Sequence, residues 1–280
     1  MRGWLKVLGG IAIVAAVLLV AWLTIHFIVG PGEDAGELVR RASEALRQVA
    51  VKGTVRTFAR TPEGERKVEA KMHRGDGRFV MSFLGGPAEG ATVYRQQGAV
   101  WVEREGGQAV RRADVGDEGL GRELLERNWT FTSEGTRRVA GRWATLVRGT
   151  GPGGSIELAV DRKTDFPLHI SRRDPRGQLI SETTWTEADF SVEAPPKAKP
   201  PKRRDRPHRK AMTLEEIRAA VDFTVHEPGW LPEGWELQGW YLREGQRGQM
   251  VQARYSDGLR PMMVIQLSAK QIAEKLKERR

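Results

Sequence analysis

The sequence predicts an α+β protein in three parts: an N-terminal transmembrane helix, an antiparallel sheet domain with few helices, and a small α+β domain at the C-terminal end. Three observations carry this. Residues 7–32 hold no charged side chain, short alternating apolar runs dominate 51–190, and a basic, proline-rich segment at 194–212 separates those runs from a second set. With 280 residues the chain is long enough for two cores, and with no cysteine it has neither disulfides nor thiolate chemistry.

The first element is the apolar stretch Val7 to Gly32, 26 residues long, with Arg2 and Lys6 before it and Glu33, Asp34 and Glu37 after it. A helix rising about 1.5 Å per residue over that length crosses a hydrocarbon core of roughly 30 Å. The flanking charges predict a cytoplasmic N-terminus and an extracytoplasmic remainder. A cleaved signal peptide is the alternative, but its apolar region is usually about 7 to 15 residues and ends at a small-x-small site. "HFIVGPG" fits neither feature, so a single-pass anchor in the cell membrane is expected.

Next comes an amphipathic helix with Leu38, Ala42, Ala45, Leu46 and Val49 on one face. The runs "TVRTFA", "KVEAKM", "RFVMSFL", "TVYR" and "AVWVER" follow, separated by turn-forming residues, and read as an antiparallel meander. A helix is predicted over 117–128, and strands resume at "RRVAGRWATLVRG". In "IELAVDRKTDFPLHI" the residues Ile156, Leu158 and Val160 share one face, and Leu168 and Ile170 share another after a corner. Asp161 there suits an Asx turn, while Pro167 suits the first position of a strand, where a missing donor matters least. Two helices are too few to cover so long a sheet. Either the sheet curves around them and leaves an apolar cavity, or it closes.

The linker 194–212 holds eight Lys or Arg against one Asp, a net +7 within a whole-chain net of +10. Five prolines disfavour helix and ladder alike, and like charges extend the chain. With an extracytoplasmic location, nucleic acid is excluded as its partner. Lys202, Arg203, Arg204 and Arg206 are instead candidates for an anionic membrane surface, each cation near it contributing about 1 kcal/mol, against the simpler reading of a solvated spacer. Beyond the linker, Thr213 and Glu216 form a capping box for a short helix through Val221, and Ser256, Asp257 and Gly258 form a tight turn before the alternating strand Met262 to Leu267.

No enzyme motif survives inspection. "GTGPGG" matches G-x-G-x-x-G literally, but the run Ile156 to Val160 predicts a strand after it, where dinucleotide binding needs a helix N-terminus. The five histidines show no metal-ligand spacing, and Ser155 and Ser256 lack a nucleophile elbow. A binding protein without catalytic residues, metal or cofactor is expected. Trp230, Trp235 and Trp240 are read as core packing. Phe79, Met81 and Phe83 on one strand face, with Leu179 and Trp185 on one face of the last strand, are core by default and ligand-lining if the sheet holds a cavity.

"VAGRWATLVRG" and the run from Ile156 to Phe190, with Asp161, Thr164 and Pro167 at its corner, resemble the last strands of the half-barrel shared by LolA lipoprotein carriers and the N-terminal domain of MucB/RseB sigma factor regulators. Residues 35–128 follow that family by layout. "LPEGW", with Leu231 and Pro232, and "YSDGL", with Tyr255, Ser256, Asp257 and Gly258, resemble the MucB/RseB C-terminal domain, which plain LolA carriers lack. The resemblance implies a LolA-like half-barrel at 33–193 and a MucB/RseB-like domain at 213–280, behind an anchor at 1–32 that departs from the best-known members. It also implies a regulator that binds the extracytoplasmic segment of an anti-sigma factor and senses the acyl chain of a lipid or lipoprotein. A membrane-tethered lipid or lipoprotein carrier is the alternative.

Overall fold

The computed structural model describes residues 35–268, apart from 62–63, 87, 97–98, 105–106, 108, 115–123, 125–126, 200, 202–210, 246–247 and 259–260. Helix α1 (Ala35–Gln48) leads into β1 (Val51–Thr61), β2 (Gly64–Gly75), β3 (Arg78–Phe83), β4 (Ala91–Gln96), β5 (Ala99–Arg104) and β6 (Val110–Asp114). After residues 115–129 come β7 (Thr130–Val139), β8 (Arg142–Gly151), β9 (Gly154–Asp161), β10 (Pro167–Arg173) and β11 (Leu179–Asp189). These form one eleven-stranded antiparallel sheet in the order β6-β5-β4-β3-β2-β1-β11-β10-β9-β8-β7. The chain starts at the middle, works out to one edge, crosses to the other edge and works back. Consecutive strands β6 and β7 are therefore the two outer edges.

The sheet curls around α1, which contacts β2 in one half and β7, β9 and β10 in the other. The sequence predicts a stripe through Leu38 and Val49. The helix instead buries Ala35, Val39, Ala42, Ser43, Ala45 and Leu46, with Leu38 and Val49 only partly covered. The stripe rotates toward Val39 because the concave sheet meets the helix from both sides. Two bulges shape the last strand. Thr54 faces Glu187 but Val55 faces Trp185, and Gly53 permits the close approach, since a Cβ there would lie 2.0 Å from the Glu187 carbonyl oxygen.

The corner between β9 and β10 forms as its residues dictate. Asp161 accepts hydrogen bonds from the Lys163 and Thr164 amides at 3.2 and 3.0 Å and from the Thr164 hydroxyl at 2.8 Å, an Asx turn with Pro167 opening β10. Arg142 grips the same carboxylate with Nε at 2.8 Å and Nη2 at 2.9 Å. Burial by itself would push the Asp161 carboxyl up, but the Arg142 and Thr164 hydrogen bonds outweigh it and hold the group below its ordinary value. Phe166, fully buried, meets Trp185 and Phe190 edge-on at 5.5 Å each, and Arg41 of α1 reaches Asp165 at 3.0 Å. The corner thus fastens helix and sheet together. The glycine-rich "GTGPGG" is the β8–β9 hairpin, with Gly151 facing Gly154, and no helix follows it.

After β11 the chain crosses the strand ends of the first sheet: His73 Nε2 donates to the Glu193 carbonyl at 2.7 Å, and the Ala198 amide donates to Gln96 Oε1 at 3.0 Å. The second sheet is β12 (Ala211–Met212), β13 (Glu236–Gly245), β14 (Gly248–Ser256) and β15 (Pro261–Leu267), in that order, with α2 (Leu214–Ala220) against it. Thr213 and Glu216 form the expected capping box. Ile217, Val225, Trp240, Val251, Ala253 and Tyr255 make the core. Trp235 packs partly against it, whereas Trp230, read as core from sequence, is 77% exposed on its loop. Among the described residues no helix is long and apolar enough to cross a membrane. The predicted span at 7–32 lies outside those residues, as does most of the helix predicted over 117–128.

Candidate functional site: the concave face of the half-barrel

Register brings the concave face together from residues far apart in sequence. One row across it is Gly53, Met72, Met81, Val93 and Val102, and the next toward the centre of β1 includes Val55, Ala70 and Phe83. Met81 is 1% exposed, Phe83 and Trp185 are equally enclosed, and Phe79 packs partly against the same cluster. Three residues of the predicted strand face therefore belong to the same core as α1, and Trp185 joins them. Leu179 does not. Arg172 pairs with Ser181 but Arg173 pairs with Leu179, so the extra residue Ile180 puts Leu179 out of phase with Trp185. It is half-buried and outside the core cluster. The expected single face on β11 is corrected by that bulge.

Sequence reasoning missed three buried arginines on this face, Arg74, Arg95 and Arg172. Arg74 and Arg95 flank Phe79 in one cross-strand row and are 7% and 4% exposed. Arg74 Nη2 donates to the Leu46 carbonyl, capping the C-terminal turn of α1, and its guanidinium lies 5.5 Å from the centre of the Phe166 ring. Burial, reinforced by the neighbouring Arg95 charge, lowers its pKa to about 9. The signal was present: Arg74 continues the alternation of Val68, Ala70 and Met72, and Arg95 continues Ala91 and Val93. Reading every arginine as surface concealed it.

On the outer face His169 lies 2.7 Å from the Thr184 hydroxyl, with Glu157 and Glu182 oxygens at 3.6 and 3.7 Å. Burial and then the Arg137 charge lower its pKa to about 4, so the ring is neutral at neutral pH. Among the described residues no group of three or more His, Asp or Glu is placed to hold a metal ion. Lys202, Arg203, Arg204 and Arg206 lie outside the described residues. In the second domain Leu231 packs partly on the core, Tyr255, Ser256 and Asp257 are buried, and the Gly258 amide donates to Ser256 Oγ at 3.0 Å.

No protein-family model matches the sequence, and neither does any curated protein sequence. Solved structures do match. MucB superposes with a TM-score of 0.53 at 23% identity, covering 84% of this chain and 81% of that one. This chain has the fold of MucB. The Pseudomonas aeruginosa MucA/MucB complex gives a TM-score of 0.56 at 22% identity, covering 82% and 78%, and MucB bound to MucA(peri) gives 0.50 at 21%, covering 83% and 79%. Coverage of about four fifths takes in both sheets, so the MucB likeness extends from the half-barrel into the second domain.

Proposed function

We propose that the protein is a membrane-anchored extracytoplasmic regulator that binds the outer segment of an anti-sigma factor and releases it when an acyl chain of a lipid or lipoprotein enters the half-barrel. The observation that supports this best is the two-domain fold shared with MucB, which is solved together with MucA. A tethered carrier would need only the half-barrel, and the second sheet favours the regulator. Because Met81 and Phe83 are already covered, an acyl chain reaches them by opening the core that they share with α1. Two polar contacts hold α1 in that core, Arg41 with Asp165 on its exposed side and the buried Arg74 with the Leu46 carbonyl.

The test is crosslinking in intact membranes with the full chain as bait, followed by titration of the captured complex with a fluorescent fatty acid. A single-span anti-sigma factor should be recovered and released by the probe. Recovery of lipid without any such partner would instead support the carrier. Topology is tested separately: protease added to spheroplasts should cut within 202–210, and full protection would overturn the extracytoplasmic location. Replacing Lys202, Arg203, Arg204 and Arg206 by Gln should weaken binding of the full chain to anionic vesicles at low salt and make no difference at high salt.

A further inference from the structure

The two stretches "LPEGW" and "YSDGL" belong to separate turns of the second domain, yet each presents a backbone carbonyl to one side chain of the first. Asn128 Nδ2 donates to the Gly234 oxygen at 2.8 Å and to the Asp257 oxygen at 3.1 Å, so both of its amide hydrogens are used. Arg127, beside it, pairs with Glu236. Gly234 allows the approach: its φ is +77°, and a Cβ there would lie 3.1 Å from Asn128 Cγ.

The next residue, Trp129, is 6% exposed and belongs to the core cluster of the first domain. Among the described residues its indole N–H has no hydrogen-bond partner, so the ring is positioned by packing. Gly151, at the end of β8, closes the arrangement, since a Cβ there would come 2.7 Å from both the Asn128 carbonyl oxygen and the Trp129 Cδ2 atom. Interior packing, ring, amide and the two turns of the second domain form one continuous path.

We propose that Asn128 is the joint that docks the second domain on the half-barrel, and that the packing of Trp129 sets whether the joint is closed. Hydrogen bonds of 2.8 and 3.1 Å are lost when a side chain moves by about 1 Å, so a small repacking of the half-barrel interior frees both turns together. Asn128 is a positioning residue, and this role holds whichever ligand or partner the protein takes.

The absence of native cysteine makes a disulfide the direct readout. In the full chain, thiols in Asn128→Cys/Gly234→Cys fall within bonding reach. We expect the folded double variant to oxidise to a single intramolecular disulfide. Arg127→Cys/Glu236→Cys, at positions whose native side chains meet at their tips, probes the same joint through a short bifunctional maleimide if the backbone at 234 rejects cysteine. Adding Gly151→Ala, or Trp129→Phe as a variant without a clash, should slow oxidation roughly tenfold by making the closed arrangement a minor population. The joint is overturned if the first pair stays reduced and the second is not crosslinked in a chain that circular dichroism shows to be folded. Control by Trp129 is overturned if neither added substitution changes the oxidation rate.

Discussion

Two strands with nearly the same pattern have opposite fates. In β3 the run Phe79, Met81, Phe83 faces the core of the first domain, and Met81 is 1% exposed. In β15 the run Met263, Ile265 is 51% and 48% exposed, while the alternate residues, Met262 and Val264, pack on the core of the second domain. Alternation says that two faces exist, and the partner decides which one is dry. β3 lies inside a sheet of eleven strands wrapped on a helix, whereas β15 is the edge of a four-stranded sheet whose helix has seven residues.

The sharpest way to break this comparison is a charge on each strand. Met81→Glu should destabilise the first domain by several kcal/mol, because an unpaired carboxylate replaces a side chain with no access to water. Met263→Glu should stay within about 0.5 kcal/mol. Thermal melts of both variants decide it, and near-equal losses would mean that the concave face is open to water at Met81.

Removing the corner carboxylate comes next. Asp161→Ala should cost about 3 kcal/mol, since the Arg142 guanidinium and two turn amides lose their acceptor together. Urea unfolding measures it, and Asp161→Asn should recover part of the loss by keeping the turn. The equivalent test at the second domain's hairpin, Ser256→Ala, removes only the bond from Gly258 and should cost about 1 kcal/mol.

The two domains should also differ in acid. His169 has a folded pKa of about 4, below its ordinary 6.5, so the unfolded chain takes up a proton first as the pH falls. Its contribution is intact above pH 6.5 and is lost between there and pH 4, on the order of 3 kcal/mol in all. Asp161, also lowered, adds to the loss at still lower pH, as its carboxylate protonates. His169→Gln should flatten the first of these losses in melting curves taken from pH 7 to 4. A small effect belongs to the second domain's helix: Thr213→Ala removes the α2 cap and should cost about 1 kcal/mol, seen as a small drop in its melting temperature.

Much of the architecture was legible without coordinates. The strand runs, the Asx corner at Asp161, the tight turn at Ser256 to Gly258 and the Thr213 capping box are local, because each depends on residues within a few positions of one another. The resemblance to MucB/RseB rested on such local signatures, and the shared fold agrees with it. What needed the tertiary structure was every relation between distant residues. The bulge at Ile180 turned Leu179 away from Trp185, and the curl of the sheet moved the buried stripe of α1 to Val39. Arg74 and Arg95 became interior groups because a helix end and two neighbouring strands closed over them. Asn128 met two turns more than a hundred residues away. Sequence determined which segments would be strands, turns and caps, since backbone sterics and local hydrogen bonds act over short spans. Only the tertiary structure decided which faces are dry and which polar groups meet, because burial belongs to the surfaces brought together rather than to any one of them.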